Sequence, residues 1–260
     1  KVVLPKVESL PLELTPIQCD YEAMIFDLDG TLTDTLKPIS NILLDKLLLL
    51  LASGVLIAVI TSQGLEEVKT NILDRIGQDK KPLMRNLYLY TARGAQAFSG
   101  RLDHDTGVTI GEIYDRAKTD LNSAQRVKLR QIVQEAVMDV ANEIEITDRQ
   151  AQITIRLGKK HKDRRDATIQ NLQRAIQDNS LPIEIEKAGT STIHLVLAGV
   201  NKGEAVKHFL SSVVRRELGK EFDPKKILIV ADRFHDEGSD RKMIIPGARV
   251  VSVGNKASEL

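Results

Sequence analysis

The chain has no tryptophan, and an aromatic content of 3% leaves no platform on which nucleic-acid bases would stack. Its basic and acidic residues nearly cancel, 37 against 36, so no field of one sign draws it to nucleic acid or to a membrane surface. The clusters Lys159-Lys160-His161-Lys162 and Arg164-Arg165 are local, are followed by Asp166, and read as the solvated start of a helix. A single cysteine, Cys19, excludes an internal disulfide framework and suits a reducing compartment. Long hydrophobic runs are missing too. The best candidate, Leu47 to Ile60, is too short to span a bilayer and is broken by Ser53-Gly54. It reads as a helix stopped by Gly54, then a buried strand from Val55 to Ile60. No signal peptide is visible, although the chain starts at Lys1 rather than Met, and the expected compartment is the cytoplasm.

What remains is ordinary globular material. Over 260 residues, 42% hydrophobic and 28% charged content suffices for one large domain or two modest ones. Residues 1 to 20 carry Pro5, Pro11 and Pro16 and read as a lead-in. From Ala23 the order is strand, helix (Ser40 to Leu51), strand (Val55 to Ile60), helix (Leu65 to Ile76), strand (Leu87 to Tyr90). Such alternation predicts a Rossmann-like parallel sheet with covering helices. After Gly100 the pattern changes. A polar loop, Arg101 to Gly107, leads to an amphipathic helix with Val127, Ile132, Val133 and Val140 on its apolar side. Two strands follow, then a helix carrying Ile169, Leu172 and Ile176, then two more strands, Pro182 to Glu186 and Thr192 to Leu197. This predicts an antiparallel sheet backed by helices, an α+β domain inserted over residues 104–197 between core segments 1–103 and 198–260. The chain then returns to α/β with a helix (Lys202 to Glu217) and strands at Lys226 to Val230 and Arg249 to Val253.

Four features follow in an order that phosphoryl transfer requires. Asp27-Leu28-Asp29-Gly30-Thr31 leaves the apolar strand Ala23-Met24-Ile25-Phe26, so two carboxylates depart the sheet together and Gly30 turns the chain behind them. One carboxylate can attack an electrophile while its neighbour handles a proton, and both can help to hold a hard cation. Ile60-Thr61-Ser62 ends the next strand in hydroxyls suited to a phosphate oxygen. Asn201-Lys202-Gly203 puts a lysine at a helix N-terminus, the wrong end for the dipole unless it serves an anion. Last, Ile227 to Ala231 is a buried strand that ends in Asp232, with Asp236 and Asp240 beyond it as further acids for a metal.

With these motifs the sequence resembles the haloacid dehalogenase superfamily of phosphatases, in the type that carries an inserted α+β cap (type IIB, C2 cap). Several stretches resemble its phosphomannomutase branch. Gly238-Ser239-Asp240 stands where Gly-Asn-Asp is usual, and Gly199-Val200-Asn201-Lys202 aligns with a Gly-Trp-Asp-Lys element. Asp148 to Thr154 looks like the cap strand whose arginine, here Arg149, faces a sugar phosphate. The resemblance implies Asp27 as nucleophile, forming an aspartyl-phosphate, and Asp29 as general acid and base. Thr61, Ser62 and Lys202 would hold the phosphoryl oxygens. Mg²⁺ would be held by Asp27, the Asp29 main-chain carbonyl and Asp232, supported by Asp240, or by Asp236 if the shorter spacing applies.

The expected function is a Mg²⁺-dependent phosphatase acting on a small phosphorylated metabolite, a sugar phosphate. The alternatives are a phosphohexomutase or a degenerate member that only binds a ligand. The sequence sets no oligomeric state. It also departs from the family pattern: Ala231 replaces a glycine, Gln63 stands where an arginine is common, and Thr192-Ile193-His194 lacks the acid with which mutases contact a hexose.

Overall fold

The structure, a computed structural model, describes residues 17–35, 37–103, 107–149, 151–188, 190–235 and 238–254. Residues 1–16 of the expected lead-in, the expected domain start at His104 and the alternative ligand Asp236 lie outside them. The chain forms two compact units, one from the chain up to Ile113 together with the chain from Asn201, the other Tyr114–Val200.

Strand and helix alternate through the first part of the larger unit: β1 (Ala23–Asp27), α1 (Asn41–Ala52), β2 (Leu56–Ile60), α2 (Leu65–Asn71) and β3 (Leu87–Thr91). The leucine-rich run forms α1 because Leu44, Leu47, Leu48 and Leu51 fall on one buried face. Ser40 caps its start, its hydroxyl accepting from the Leu43 amide at 3.3 Å. Gly54, with φ of +82°, turns the chain out of the helix. Every residue of β2 and β3 is buried, as strands covered on both faces require. Helix α2 ends at Asn71 rather than at Ile76 and gives way to a 3₁₀ turn, Leu73–Arg75. The Asn71 side chain bonds outside the helix and Ile72 is β-branched, so this last stretch holds helix poorly.

The chain next departs from expectation. In place of a loop running on to a helix it forms β4 (Gln96–Asp103) and β5 (Gly107–Asp115), with β4 antiparallel to β3. Gly100, Gly107, Gly111 and the charged residues keep local strand propensity low. Phe98 and Val108 nevertheless join the main core, and that burial decides the outcome.

The smaller unit contains α3 (Arg116–Asp120), α4 (Ser123–Ala136), β6 (Glu145–Asp148), β7 (Gln152–Arg156), α5 (Arg165–Asp178), β8 (Ile183–Ala188) and β9 (Thr192–Leu197). Its antiparallel sheet has the order β6-β7-β9-β8. Register pairs Ile153 with Leu195 and Ile155 with Ile193 on one face, and Thr154 with His194 on the other. Helix α5 packs on β8 and β9, and α4 packs on α5, burying Ile169, Leu172 and Ile176 with Leu129, Ile132 and Val133.

The larger unit resumes with α6 (Lys202–His208), a π-helical turn (Phe209–Val214), α7 (Arg215–Leu218), β10 (Ile227–Ala231) and β11 (Arg249–Ser252). The expected single helix from Lys202 to Glu217 therefore widens at Phe209. There the Phe209 ring packs on β3, 5.6 Å from the Tyr88 ring and 6.3 Å from the Tyr90 ring, and anchors the helix to the sheet. The sheet runs β11-β10-β1-β2-β3-β4-β5, parallel from β11 to β3. Its turning point is β1, with β2 and β3 built outward on one side and β10 and β11 on the other. Ligands of open α/β sheets bind beyond the carboxyl ends of the strands at such a point. The fold is thus a Rossmann-like core with an inserted, smaller α+β unit. Among the described residues no helix is long and apolar enough to cross a membrane.

Candidate active site

Three adjacent strands deliver their ends to one place. Asp27 is the last residue of β1, Thr61 directly follows β2, and Asp232 directly follows β10. Asp27 is paired in register with Ile60, which sets Thr61 just past it along the sheet. From the other half of the unit comes Lys202, the first residue of α6. Asn201 caps that helix, its side-chain oxygen accepting from the Glu204 amide at 3.1 Å. Gly203 permits the close approach: a Cβ there would stand 2.5 Å from the Lys242 carbonyl oxygen.

A lysine opposes the dipole at this helix end, and its partners explain it. Lys202 Nζ lies 2.5 Å from Asp27 Oδ1 and 2.5 Å from Asp240 Oδ1, all three side chains being buried. The second Asp27 oxygen accepts from the Thr31 hydroxyl at 3.2 Å. Asp240 also accepts from the Ser239 hydroxyl at 3.1 Å and from the Arg233 amide at 3.2 Å. Burial pushes the Asp27 carboxyl up to about 6; Lys202 pulls against that rise, and Asp240 adds to it. For Lys202, burial alone would lower the ammonium, but the two carboxylates outweigh it and hold the group above the ordinary lysine range.

Asp27, Asp232 and Asp240 each offer a carboxylate oxygen, and these atoms lie within 4.8 Å of one another. Three carboxylates and one ammonium leave two negative charges, which one divalent cation balances. An all-oxygen donor set selects a hard ion. The turn behind Asp29 is fitted to the same cluster. Gly30 has φ of +84°, and a Cβ on it would fall 2.7 Å from Asp232 Oδ2, so a side chain there would displace the carboxylate. The carboxylates of Asp27, Asp232 and Asp240 therefore form a cluster that fits a divalent metal ion.

Asp29 is engaged differently. The Gln63 side-chain amide donates to both of its carboxylate oxygens, at 2.8 and 2.9 Å. Gln63 Oε1 in turn accepts from Asn71 Nδ2 at 3.1 Å. In sequence Gln63 registers only as a departure from a common arginine, and Asn71 gives no signal at all. The buried Thr61 hydroxyl accepts from the Gln63 amide at 3.0 Å, whereas Ser62 is exposed. Arg149 belongs to the smaller unit, in the turn between β6 and β7, where its amide donates to the Gln152 carbonyl at 2.9 Å. Of the neighbouring acids, Asp148 is bonded by Arg130 at 2.7 Å and Glu145 by Arg156 at 2.5 Å. The structure thus gathers Asp27, Asp232, Asp240 and Lys202 into one cluster and ties Asp29 to Gln63.

No family model and no curated protein matches the sequence. Solved structures do. The Plasmodium falciparum IMP-nucleotidase superposes with a TM-score of 0.58 at 14% identity, over 90% of this chain and 65% of the nucleotidase. A trehalose-6-phosphate phosphatase of Aspergillus fumigatus gives a TM-score of 0.54 at 17% identity, over 93% of this chain and 84% of that one. The chain shares its fold with these phosphatases. A trehalose-6-phosphate phosphatase-related protein agrees, with a TM-score of 0.55 at 17% identity over 91% of this chain and 88% of its own. The chain spans under two thirds of the nucleotidase's length, and at these identities the likeness extends to the fold alone.

Proposed function

We propose that the protein is a Mg²⁺-dependent phosphatase of the haloacid dehalogenase type, acting on the phosphate monoester of a small metabolite. The observation that carries this reading is the buried Asp27–Lys202–Asp240 arrangement beside Asp232, at the carboxyl ends of the central strands. In this reading an Asp27 oxygen attacks phosphorus and the ester P–O bond breaks. Asp29 gives its proton to the departing alkoxide, and the phosphoryl group remains on Asp27 as an acyl phosphate. Asp29, now ionised, takes a proton from water, whose oxygen attacks the same phosphorus. Inorganic phosphate leaves and the Asp27 carboxylate is regenerated. Thr61 and Lys202 hold the phosphoryl oxygens. Asp27, Asp232 and the Asp29 carbonyl would hold Mg²⁺ with Asp240 in support, and the bound ion would neutralise phosphate charge.

The substrate class follows from chemistry that the neighbours share. Trehalose 6-phosphate and IMP are both monoesters of a primary sugar hydroxyl, and a sugar phosphate is the class proposed for this chain. The inserted unit would act as the cap that selects the substrate, with Arg149 able to grip sugar or phosphate oxygens bidentately. Hydrolysis is favoured over the mutase alternative by His194. It stands on β9 bonded to Thr154 at 3.0 Å and Gln152 at 3.2 Å, where a hexose-binding acid would be needed. The lone Cys19 is free, in keeping with a reducing compartment such as the cytoplasm.

The test is phosphate release from a panel of hexose 6-phosphates and nucleoside 5′-monophosphates with Mg²⁺. Turnover abolished by excess chelator is expected. A folded protein that releases phosphate from none of them, or that interconverts hexose phosphates without release, overturns the phosphatase reading.

A further inference from the structure

Gln63 lies directly behind Asp29, and every part of it is pinned. Its amide nitrogen donates to Thr61 Oγ1 at 3.0 Å and its carbonyl accepts from the Ala92 amide at 2.8 Å. Its side chain is 2% exposed and spans from Asn71 to the two Asp29 oxygens. The orientation of the amide is determined by that chain of bonds. Turning it over would set its NH₂ against the Asn71 NH₂ and its oxygen against the Asp29 carboxylate, two repulsions in place of three attractions. Asn71, 8% exposed at the end of α2, is the fixed post on which the arrangement hangs.

We propose that Gln63, braced by Asn71, is a positioning residue that sets the rotamer of Asp29 for proton transfer. The proposal rests on the phosphatase reading for the role of Asp29, but not for its geometry. A carboxylate on a half-buried turn can rotate about two torsions, and a pinned amide nitrogen that bridges both of its oxygens restrains that freedom. A proton donor must be held to within a fraction of an ångström of its acceptor, and a displacement of about 1 Å costs on the order of 10²-fold in rate. The contribution is therefore to kcat. Neither Gln63 nor Asn71 needs to touch the substrate.

The experiment compares wild type with Gln63→Met, which keeps length and removes the donor, and with Asn71→Ala, which removes the brace and leaves Gln63 in place. Each is assayed on a hexose phosphate and on nitrophenyl phosphate, whose leaving group needs little protonation. For Gln63→Met, kcat on the hexose phosphate should fall roughly 10- to 100-fold with KM within about twofold, and should fall less on nitrophenyl phosphate. Asn71→Ala should show the same pattern more weakly. In an Asp29→Asn background Gln63→Met should add nothing, because its effect runs through Asp29. Undiminished kcat, a loss confined to KM, or an equal further loss in the Asp29→Asn background would overturn the proposal. Absent turnover in wild type would instead overturn the phosphatase reading. The positioning is then decided by a crystal structure of Gln63→Met: Asp29 oxygens that leave their wild-type places support it, and oxygens that keep them reject it.

Discussion

Lys202 Nζ sits 2.5 Å from Asp27 Oδ1, although 175 residues and the whole smaller unit separate the two in the chain. The pair exists because β1 ends at the turning point of the sheet and α6 starts beside it. A second carboxylate, Asp240, shares the ammonium. Desolvation of such a group is costly, and each charge is tolerable only while the others are present.

That dependence makes the first prediction. Lys202→Met leaves Asp27 and Asp240 buried side by side with no cation between them, and breaking a buried pair in this way costs roughly 3–5 kcal/mol. Urea denaturation in metal-free buffer should show a loss of that size. Lys37→Met removes an exposed pair with Asp34 and should cost no more than about 1 kcal/mol. Equal effects would show that the Lys202 cluster is not the desolvated unit its geometry describes.

Much of this candidate site is legible in the sequence, because its side chains hang on strand ends. Asp27, Thr61 and Asp232 each follow an apolar run, and apolar runs locate strands. Lys202 is legible by contradiction, as a cation at the wrong end of a helix dipole. Gln63 and Asn71 are not, since the direction of a side-chain amide depends on packing that no local pattern encodes. The same holds for β4 and β5, whose glycines and charges read as loop until Phe98 and Val108 are seen in the core. Local preference there is weak, and burial overrides it.

Substitution of the two motif carboxylates should separate their roles. Asp27→Asn is nearly isosteric but is no nucleophile, so it should abolish turnover by several decades, on the order of the covalent contribution, while leaving thermal unfolding cooperative. In the proposed reaction Asp29→Asn removes the proton donor, worth roughly 10²–10⁴-fold. That loss should be large on an alkyl phosphate and small on nitrophenyl phosphate. Ordinary activity in Asp27→Asn would reject the acyl-phosphate step, and equal losses of Asp29→Asn on both esters would reject the acid role.

The Tyr90–His208 contact on the anchoring helix predicts a pH dependence of stability. The Tyr90 hydroxyl lies 2.8 Å from His208 Nδ1, a bond that the neutral imidazole can accept. Burial first, and Arg216 second, lower His208 below its ordinary 6.5. A depressed folded-state value means that the unfolded chain takes up the proton more readily. The stabilisation is therefore fully present above 6.5 and is lost as pH falls from there toward the folded value. His208→Gln keeps an amide at the contact and does not titrate. Between about pH 7.5 and about pH 5.5 its stability should fall less than that of wild type, and urea midpoints that fall in parallel would remove His208 from the account.

The metal prediction turns on charge. With Lys202 in place, Asp27, Asp232 and Asp240 carry an excess of two negative charges, and only Asp232 among them has no bond to the lysine. Mg²⁺ should therefore stabilise the folded protein by mass action, about 2.7 kcal/mol at a hundred times its dissociation constant, visible as a rise in Tm. Asp232→Asn lowers the excess to one charge and removes the ligand least committed to Lys202, so the rise should largely vanish while the metal-free Tm changes little. This readout needs no substrate. A Tm that Mg²⁺ raises equally in wild type and Asp232→Asn would place the ion elsewhere, and a Tm that no divalent cation moves would mean that the carboxylate cluster serves only to bury Lys202.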